Sequence, residues 1–296
     1  MVIATGFFDG VHLGHRFILR QLVEEARRRN DESMVVTFWP HPRNVLQDDA
    51  RNLRLLTSME EKKALIRSIG VDHIEVIPFT KEFCRLSAEE YLRDYIVGKF
   101  GGKAILVGYD NRIGSDQCTP EQTSEIARRL GLDVIRPESF VSDNGIVISS
   151  TKIRNSLQAG EIEEADSMLG YQYQLYGVVV SGNRLGHTIG FPTANMQLYE
   201  PLKLIPGNGV YLVKVETLGR VYDGMCNIGV RPTLGSGNAL TVETNIFDFN
   251  EDIYGLDIRI SFVRKIRNEV KFNDFSVLAS QLEKDRAHCR ILLQEK

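Results

Sequence analysis

The sequence has no apolar run approaching the roughly 18 residues of a membrane span, and no charged-then-apolar leader precedes its first strand. A cytoplasmic protein with no membrane partner is the expectation. Cysteine is sparse. Cys84, Cys118, Cys226 and Cys289 are scattered without a C-x-x-C pair, which argues for reduced thiols and against a structural zinc. Basic excess is also missing. The 36 Lys and Arg face 39 Asp and Glu for a net charge of -3, so electrostatics give no case for a nucleic-acid partner. The first glycine-rich turn has no Gly-Lys-Ser/Thr ending and no G-x-G-x-x-G, which removes the Walker loop and the dinucleotide fingerprint.

What is present is 296 residues, enough for about two domains. The first is organised around Gly6-Phe7-Phe8-Asp9-Gly10-Val11-His12-Leu13-Gly14-His15. Val2, Ile3 and Ala4 before it read as a short buried strand. Ile18, Leu22 and Ala26, with Leu19 and Val23 beside them, read as the apolar stripe of a helix after it. A glycine turn between strand and helix aims backbone N–H groups and the positive end of the helix dipole at one point, where phosphate is the natural guest. Gly6, Gly10 and Gly14 permit close approach, and His12 and His15 share one side of the first helical turn.

The string carries the H-x-G-H signature of the nucleotidylyltransferase superfamily. As G-x-F-D-G-x-H-x-G-H it resembles the N-terminal module of the bacterial bifunctional riboflavin kinase/FAD synthetase family. Later stretches are similar to the same family. Thr37-Phe38-Trp39-Pro40-His41-Pro42 resembles its T-F-x-P-H-P loop. Val107-Gly108-Tyr109-Asp110 and Gly114 keep part of its V-G-x-D-F-x-F-G, with Asn111 and Ile113 in place of two aromatics. Ile148-Ser149-Ser150-Thr151-Lys152-Ile153-Arg154 resembles its second nucleotide motif. On local sequence alone the first two also read as a rigid turn and a polar turn, and the third as a helix N-cap.

Between these motifs strands and helices alternate. Met34–Phe38, His73–Phe79 and Ala104–Gly108 read as strands. Capping-box patterns at Ser58-Met59-Glu60-Glu61 and Ser87-Ala88-Glu89-Glu90 each open an amphipathic helix. Thr119-Pro120-Glu121-Gln122 opens another, closed by Gly131. The alternation implies a doubly wound parallel sheet. Gly160 and Gly170 end two further helices, and the domain boundary is placed there: residues 1–169, then 170–296.

From Tyr173 onward, short β-rich runs separated by Gly, Pro and Asn predict an antiparallel β-barrel, followed by a C-terminal helix capped by Asp274. Gly182 to Asn195 holds a loop with Gly182, Gly186, His187 and Gly190, then Gly190-Phe191-Pro192-Thr193-Ala194-Asn195, which resembles the riboflavin kinase signature G-F-P-T-A-N. Asn227 to Thr233 matches N-I-G-x-R-P-T. Family members commonly have Arg at His187 and His at Asn245.

The resemblance implies two consecutive reactions. The C-terminal module transfers the γ-phosphoryl of ATP to riboflavin, and the N-terminal module adenylylates the resulting FMN to FAD with release of pyrophosphate. It implies catalytic roles for Glu243 (base on the riboflavin hydroxyl), His12, His15 and Arg154. It implies ATP or phosphate contacts at Gly6, Phe7, Asp9, Gly10, Gly14, Ser150, Thr151, Gly182, Gly186, His187 and Gly190. Flavin contacts fall at His41, Pro42, Asp110, Asn111 and Arg231, and Mg2+ contacts at Thr193 and Asn195. Small molecules are the expected partners. The alternative is a riboflavin kinase whose first module binds nucleotide or flavin but adenylylates poorly, since the loop at Asn111 and Ile113 lacks both aromatics.

Overall fold

The computed structural model describes residues 1–41, 53–109, 111–138, 140, 147–182, 190–233, 237–272 and 274–295, with only the backbone described at 231–233 and 237–239. The chain divides into two compact units, residues 1–150 and 151–296.

The first unit is built on five parallel strands in the order β3-β2-β1-β4-β5. They are β1 (Val2–Thr5), β2 (Ser33–Trp39), β3 (His73–Pro78), β4 (Ala104–Leu106) and β5 (Asp133–Ile135). The strands read as apolar runs because both faces are covered. On one face lie α1 (Leu13–Arg28) and α2 (Met59–Arg67), burying Leu19, Leu22, Val23 and Ile66 against Val2, Ala4 and Val35. On the other lie α3 (Ala88–Tyr91), the turns that continue it, and α4 (Pro120–Arg129), burying Tyr91, Leu92, Ile96 and Ile126 against Ile3, Val36 and Ile105.

The capping boxes form as the sequence implies, at Ser58 with Glu61, Ser87 with Glu90, and Thr119 with Gln122. Gly131, Gly160 and Gly170 take positive φ at the ends of their helices. The helix opened by Ser87 differs from expectation. It is α-helical only to Tyr91 and then winds as a π-helix over Leu92–Lys99, ending with the Phe100 amide on the Tyr95 carbonyl. The wider turn keeps Leu92 and Ile96 both in the core and Tyr91 stacked on Tyr95.

The sheet order reverses at β1. Its chain successor β2 lies on one side and β4 on the other, so the carboxyl ends of β1 and β4 flank a topological switch point, the usual ligand crevice of such sheets.

The second unit opens with α5 (Ser150–Ala159, its first residue closing the first unit) and α6 (Ile162–Leu169). A closed six-stranded antiparallel barrel follows, in the order β10-β7-β6-β11-β8-β9. Its strands are β6 (Gln174–Val180), β7 (Ala194–Leu198), β8 (Gly209–Thr217), β9 (Arg220–Thr233), β10 (Gly237–Ile246) and β11 (Asp257–Arg267). Closure leaves no sheet edge to aggregate. Helix α7 (Phe275–Gln294), capped by Asp274, packs Leu282, Cys289 and Leu292 over Val210, Leu212 and Met225.

Helix α7 is also pinned by charge. The Arg267 guanidinium on β11 reaches both oxygens of Asp285 at 2.7–3.0 Å, and Gln281 donates to the same carboxylate at 2.8 Å. Asp285 is 3% exposed, while Arg267 keeps a solvent edge. Asp285→Ala should therefore cost about 2–4 kcal/mol, somewhat under the loss for a fully buried pair. Chemical denaturation checks this, and an unchanged midpoint would show that α7 docks by its apolar face alone.

Candidate active sites

The Gly6–Gly10 turn leaves β1 at the switch point. Phe8 and Val11 adopt left-handed φ of 51° and 38° around Gly10 at 81°, a conformation that costs energy at non-glycine residues and clusters at functional turns. The turn is held from outside. The Asp9 carboxylate accepts from the Leu56 and Thr57 amides at 3.0–3.2 Å, and the Thr57 hydroxyl accepts from the Gly10 amide at 3.2 Å. Buried Asp9 thus stitches the turn to the segment entering α2, while the Ser150 hydroxyl donates to the Asp9 carbonyl at 2.9 Å.

His12 caps α1. Its Nδ1 accepts from the His15 amide at 3.3 Å, so Nε2 is the ring nitrogen left to face a ligand. The two imidazoles stack with centroids 3.6 Å apart and planes 16° apart. A Cβ at Gly14 would lie 3.3 Å from the His12 ring, so glycine between the histidines makes room for the stack. His15 keeps an exposed edge, but among the described residues its buried Nδ1 has no hydrogen-bond partner. Burial, with the charges of His12 and Lys62 adding to it, holds His15 well below the ordinary histidine pKa. It is a neutral ring at physiological pH.

Beside the turn lies a cavity of about 410 Å³. Gly6 and Phe7 form one wall, Phe38, Phe79, Phe83 and Tyr91 another, and Asn111 and Ile113 a third. Asn111 donates from Nδ2 to the Thr5 carbonyl at 3.3 Å, tying the loop after β4 to the end of β1. Ile113 packs in the core, and Gly114 leaves no room for a Cβ against the Ala88 amide. The loop that lacks two aromatics therefore closes a cavity whose aromatic walls come from β2, the residues after β3, and α3. His41 meets Phe7 edge-on, with ring centroids 3.9 Å apart. Pro42 and Asp110 lie outside the described residues.

In the second unit Glu243 stands on β10 in register with Asn195 on β7 and Asn227 on β9, so the three share one face of the barrel. The Asn195 side chain packs on Gly182, which has no space for a Cβ. Two residues along from Glu243, buried Asn245 donates from Nδ2 to the Pro192 carbonyl at 2.7 Å and so holds the turn that presents Thr193. This gives Asn245 a physical role in holding that turn. Pro192, Thr193 and Ala194 line a pocket of about 260 Å³ with Val179, Ile246 and Ile253. Gly190 takes φ 79° at its approach. Gly186 and His187 lie outside the described residues, as does the side chain of Arg231, whose backbone pairs with Ala239.

Thr151 is exposed and Arg154 half-buried in the first turn of α5, within the second unit. Among the described residues no cluster of three His, Cys, Asp or Glu side chains could hold a metal alone. Neutral oxygens at Thr193 and Asn195 near one carboxylate instead suit a hard cation already carrying phosphate. Sequence reasoning missed Phe79, Phe83, Asn227 and Lys62. Only Asn227 had a signal, inside the N-I-G-x-R-P-T string.

Two family models match the chain, one described as FAD synthetase over residues 1–152 and one as riboflavin kinase over residues 169–293. The bifunctional riboflavin kinase/FMN adenylyltransferase of Listeria monocytogenes is 37% identical, covering 98% of this chain and 91% of that protein. Those of Bacillus subtilis and Escherichia coli are each 36% identical, covering 96% and 98% of this chain and 90% and 91% of theirs. A solved structure from Streptococcus pneumoniae, named a macrolide-efflux protein, is 33% identical with TM-score 0.88, covering 98% of this chain and 93% of that one. Among the described residues no helix of this chain is long and apolar enough to cross a membrane. Two matched modules in order, and near-full-length relatives above 30% identity, place the chain in the bifunctional riboflavin kinase/FMN adenylyltransferase family.

Proposed function

We propose that this protein makes FAD from riboflavin in two ATP-dependent steps, one in each unit, and works in the cytoplasm on small-molecule substrates. The observation that supports the reading is that each unit gathers its own motif residues: the stacked His12–His15 pair at the switch point, and the Asn195–Glu243–Asn227 row on the barrel.

In the barrel, the Glu243 carboxylate takes the proton of the riboflavin 5′-hydroxyl as its oxygen attacks the γ-phosphorus of ATP. Thr193 and Asn195 would hold Mg2+ arriving on the nucleotide, where it would neutralise phosphate charge. The pocket beside Pro192 suits a nucleobase, having apolar walls and a polar rim. Gly182 and Gly190 let the backbone approach the phosphates closely.

In the first unit the aromatic cavity receives the flavin ring of FMN, with Asn111 in its wall. A phosphate oxygen of FMN bonds to the α-phosphorus of ATP, the bond to the bridging oxygen breaks, and pyrophosphate leaves with the electron pair. That nucleophile is already an anion, so no base is needed. His12 offers an Nε2 proton, and neutral His15 receives the charged group without repelling a second cation. Ser150, whose hydroxyl meets the Asp9 carbonyl in that turn, contributes a phosphate contact. Positioning two anions and stabilising the transferring group carry the rate.

The test is to incubate protein with riboflavin, ATP and Mg2+ and separate the flavins over time. FMN followed by FAD is expected, and FMN that accumulates without FAD would remove the second activity. A finer expectation concerns Asn245. Asn245→Ala leaves the Pro192 carbonyl without its donor and should raise the ATP KM of riboflavin phosphorylation by about five- to tenfold, the worth of one hydrogen bond. FAD formation from supplied FMN should not change, and an unaltered KM would detach Asn245 from the nucleotide turn.

A further inference from the structure

Lys62 and Lys63 are neighbours on α2 with opposite fates. Lys63 pairs with Glu60 at 3.0 Å at the surface. Lys62 is 1% exposed, and among the described residues its Nζ has no hydrogen-bond partner. It lies 3.6 Å from the centroid of the Phe7 ring, in the turn that leads to the histidine pair. The carboxylate whose charge acts on it, Asp9, already accepts from the Leu56 and Thr57 amides and the Thr57 hydroxyl.

A cation buried without an acceptor destabilises the fold, and a π face offsets only part of that cost. Helix α2 has no structural need for it, since an apolar side chain of similar length would fill the same space. What the position offers is a desolvated charge beside a turn that receives a polyanion. Electrostatic attraction is strongest there because little water screens it.

We propose that Lys62 is the cation that takes the phosphate chain of ATP in the first unit, donating N–H bonds from Nζ to the group that leaves as pyrophosphate. The assignment rests on the adenylyl-transfer reading above. The buried ammonium is thereby paired only when nucleotide is bound, and Phe7, which has the cavity on one side and Lys62 over its ring, separates the flavin from the charge.

Burial lowers the Lys62 pKa to about 8, Asp9 opposing it in part, and Lys62 in turn helps hold His15 neutral. In the free enzyme Lys62 is therefore charged below pH 8 and loses its proton above it. For FAD formation, kcat/KM for ATP should fall as pH rises through about 8, while kcat should hold to higher pH because bound phosphate keeps the proton on. In Lys62→Arg, whose guanidinium stays charged, that break should vanish.

The deciding variant is Lys62→Met in the full chain, which removes charge while keeping length. FAD formation from FMN should drop about a hundredfold or more, the usual loss of a charge-stabilising donor. The KM for pyrophosphate in the reverse reaction should rise, riboflavin phosphorylation should be unchanged, and Tm should be equal or higher. Near-normal FAD formation by the variant overturns the proposal. So does lost FAD formation accompanied by a lowered Tm, which would make Lys62 structural.

If the wild type itself makes no FAD, the adenylyl-transfer reading fails separately. Calorimetry then decides Lys62, with inorganic pyrophosphate titrated at pH 8 in buffers of different ionisation enthalpy. Proton uptake in the wild type that is absent from the Met variant supports the cation role. Equal uptake in both overturns it.

Discussion

Glu243→Gln should lower riboflavin phosphorylation by roughly 10²–10⁴, the usual worth of a positioned base. The amide keeps the size of the carboxylate and its place between Asn195 and Asn227, so only the ability to accept the hydroxyl proton is lost. The expected signature is a lower kcat with little change in KM for ATP, since the nucleotide contacts proposed above fall on the Thr193 turn and the pocket beside it. FAD formation from supplied FMN should stay at the wild-type rate, since that site lies in the other unit. Flavin chromatography with riboflavin and then with FMN as substrate separates the two steps. A near-normal rate with riboflavin would remove Glu243 from the base role.

His15→Ala should lower FAD formation from FMN by about a hundredfold to a thousandfold. The ring does more than donate. It stacks on His12 and meets Phe8 edge-on, so its loss also frees the His12 ring over the start of α1. His12 keeps its cap, because the donor to its Nδ1 is the backbone amide of residue 15. The fold should therefore survive, and riboflavin phosphorylation should be unchanged. Equal loss of both activities would count against separate sites. Since burial holds His15 neutral, no break attributable to it is expected between pH 6.5 and 8.

Where local chemistry decides structure, the sequence is a sufficient guide. Ser58, Ser87 and Thr119 cap helices because the bonds that matter run between residues three apart. Gly131, Gly160 and Gly170 end helices because they accept positive φ. The change from alternating strands and helices to β runs near Tyr173 follows from periodicity, and the barrel closes as that pattern implies. The motif strings carried the family itself, together with His12, His15, Thr193, Asn195 and Glu243.

Other features have no local signature. Asp9 reads as part of a phosphate turn, yet its carboxylate is committed to amides 47 and 48 residues away. The aromatic cavity is assembled from Phe38, Phe79, Phe83 and Tyr91, which no periodicity groups. Asn245 is unexplained until the Pro192 carbonyl appears against it.

By itself, then, the sequence determined two modules, their order and their fold classes. Hydrogen-bonding range, helical and strand periodicity and motif strings all act along the chain. Only the tertiary structure decided that Lys62 is buried while Lys63 is not, that the two histidine rings stack, and that Asn111 closes a cavity built by distant aromatics. The reason is that burial and electrostatic environment are set by what packs across the fold, and a side chain's neighbours along the chain do not specify it.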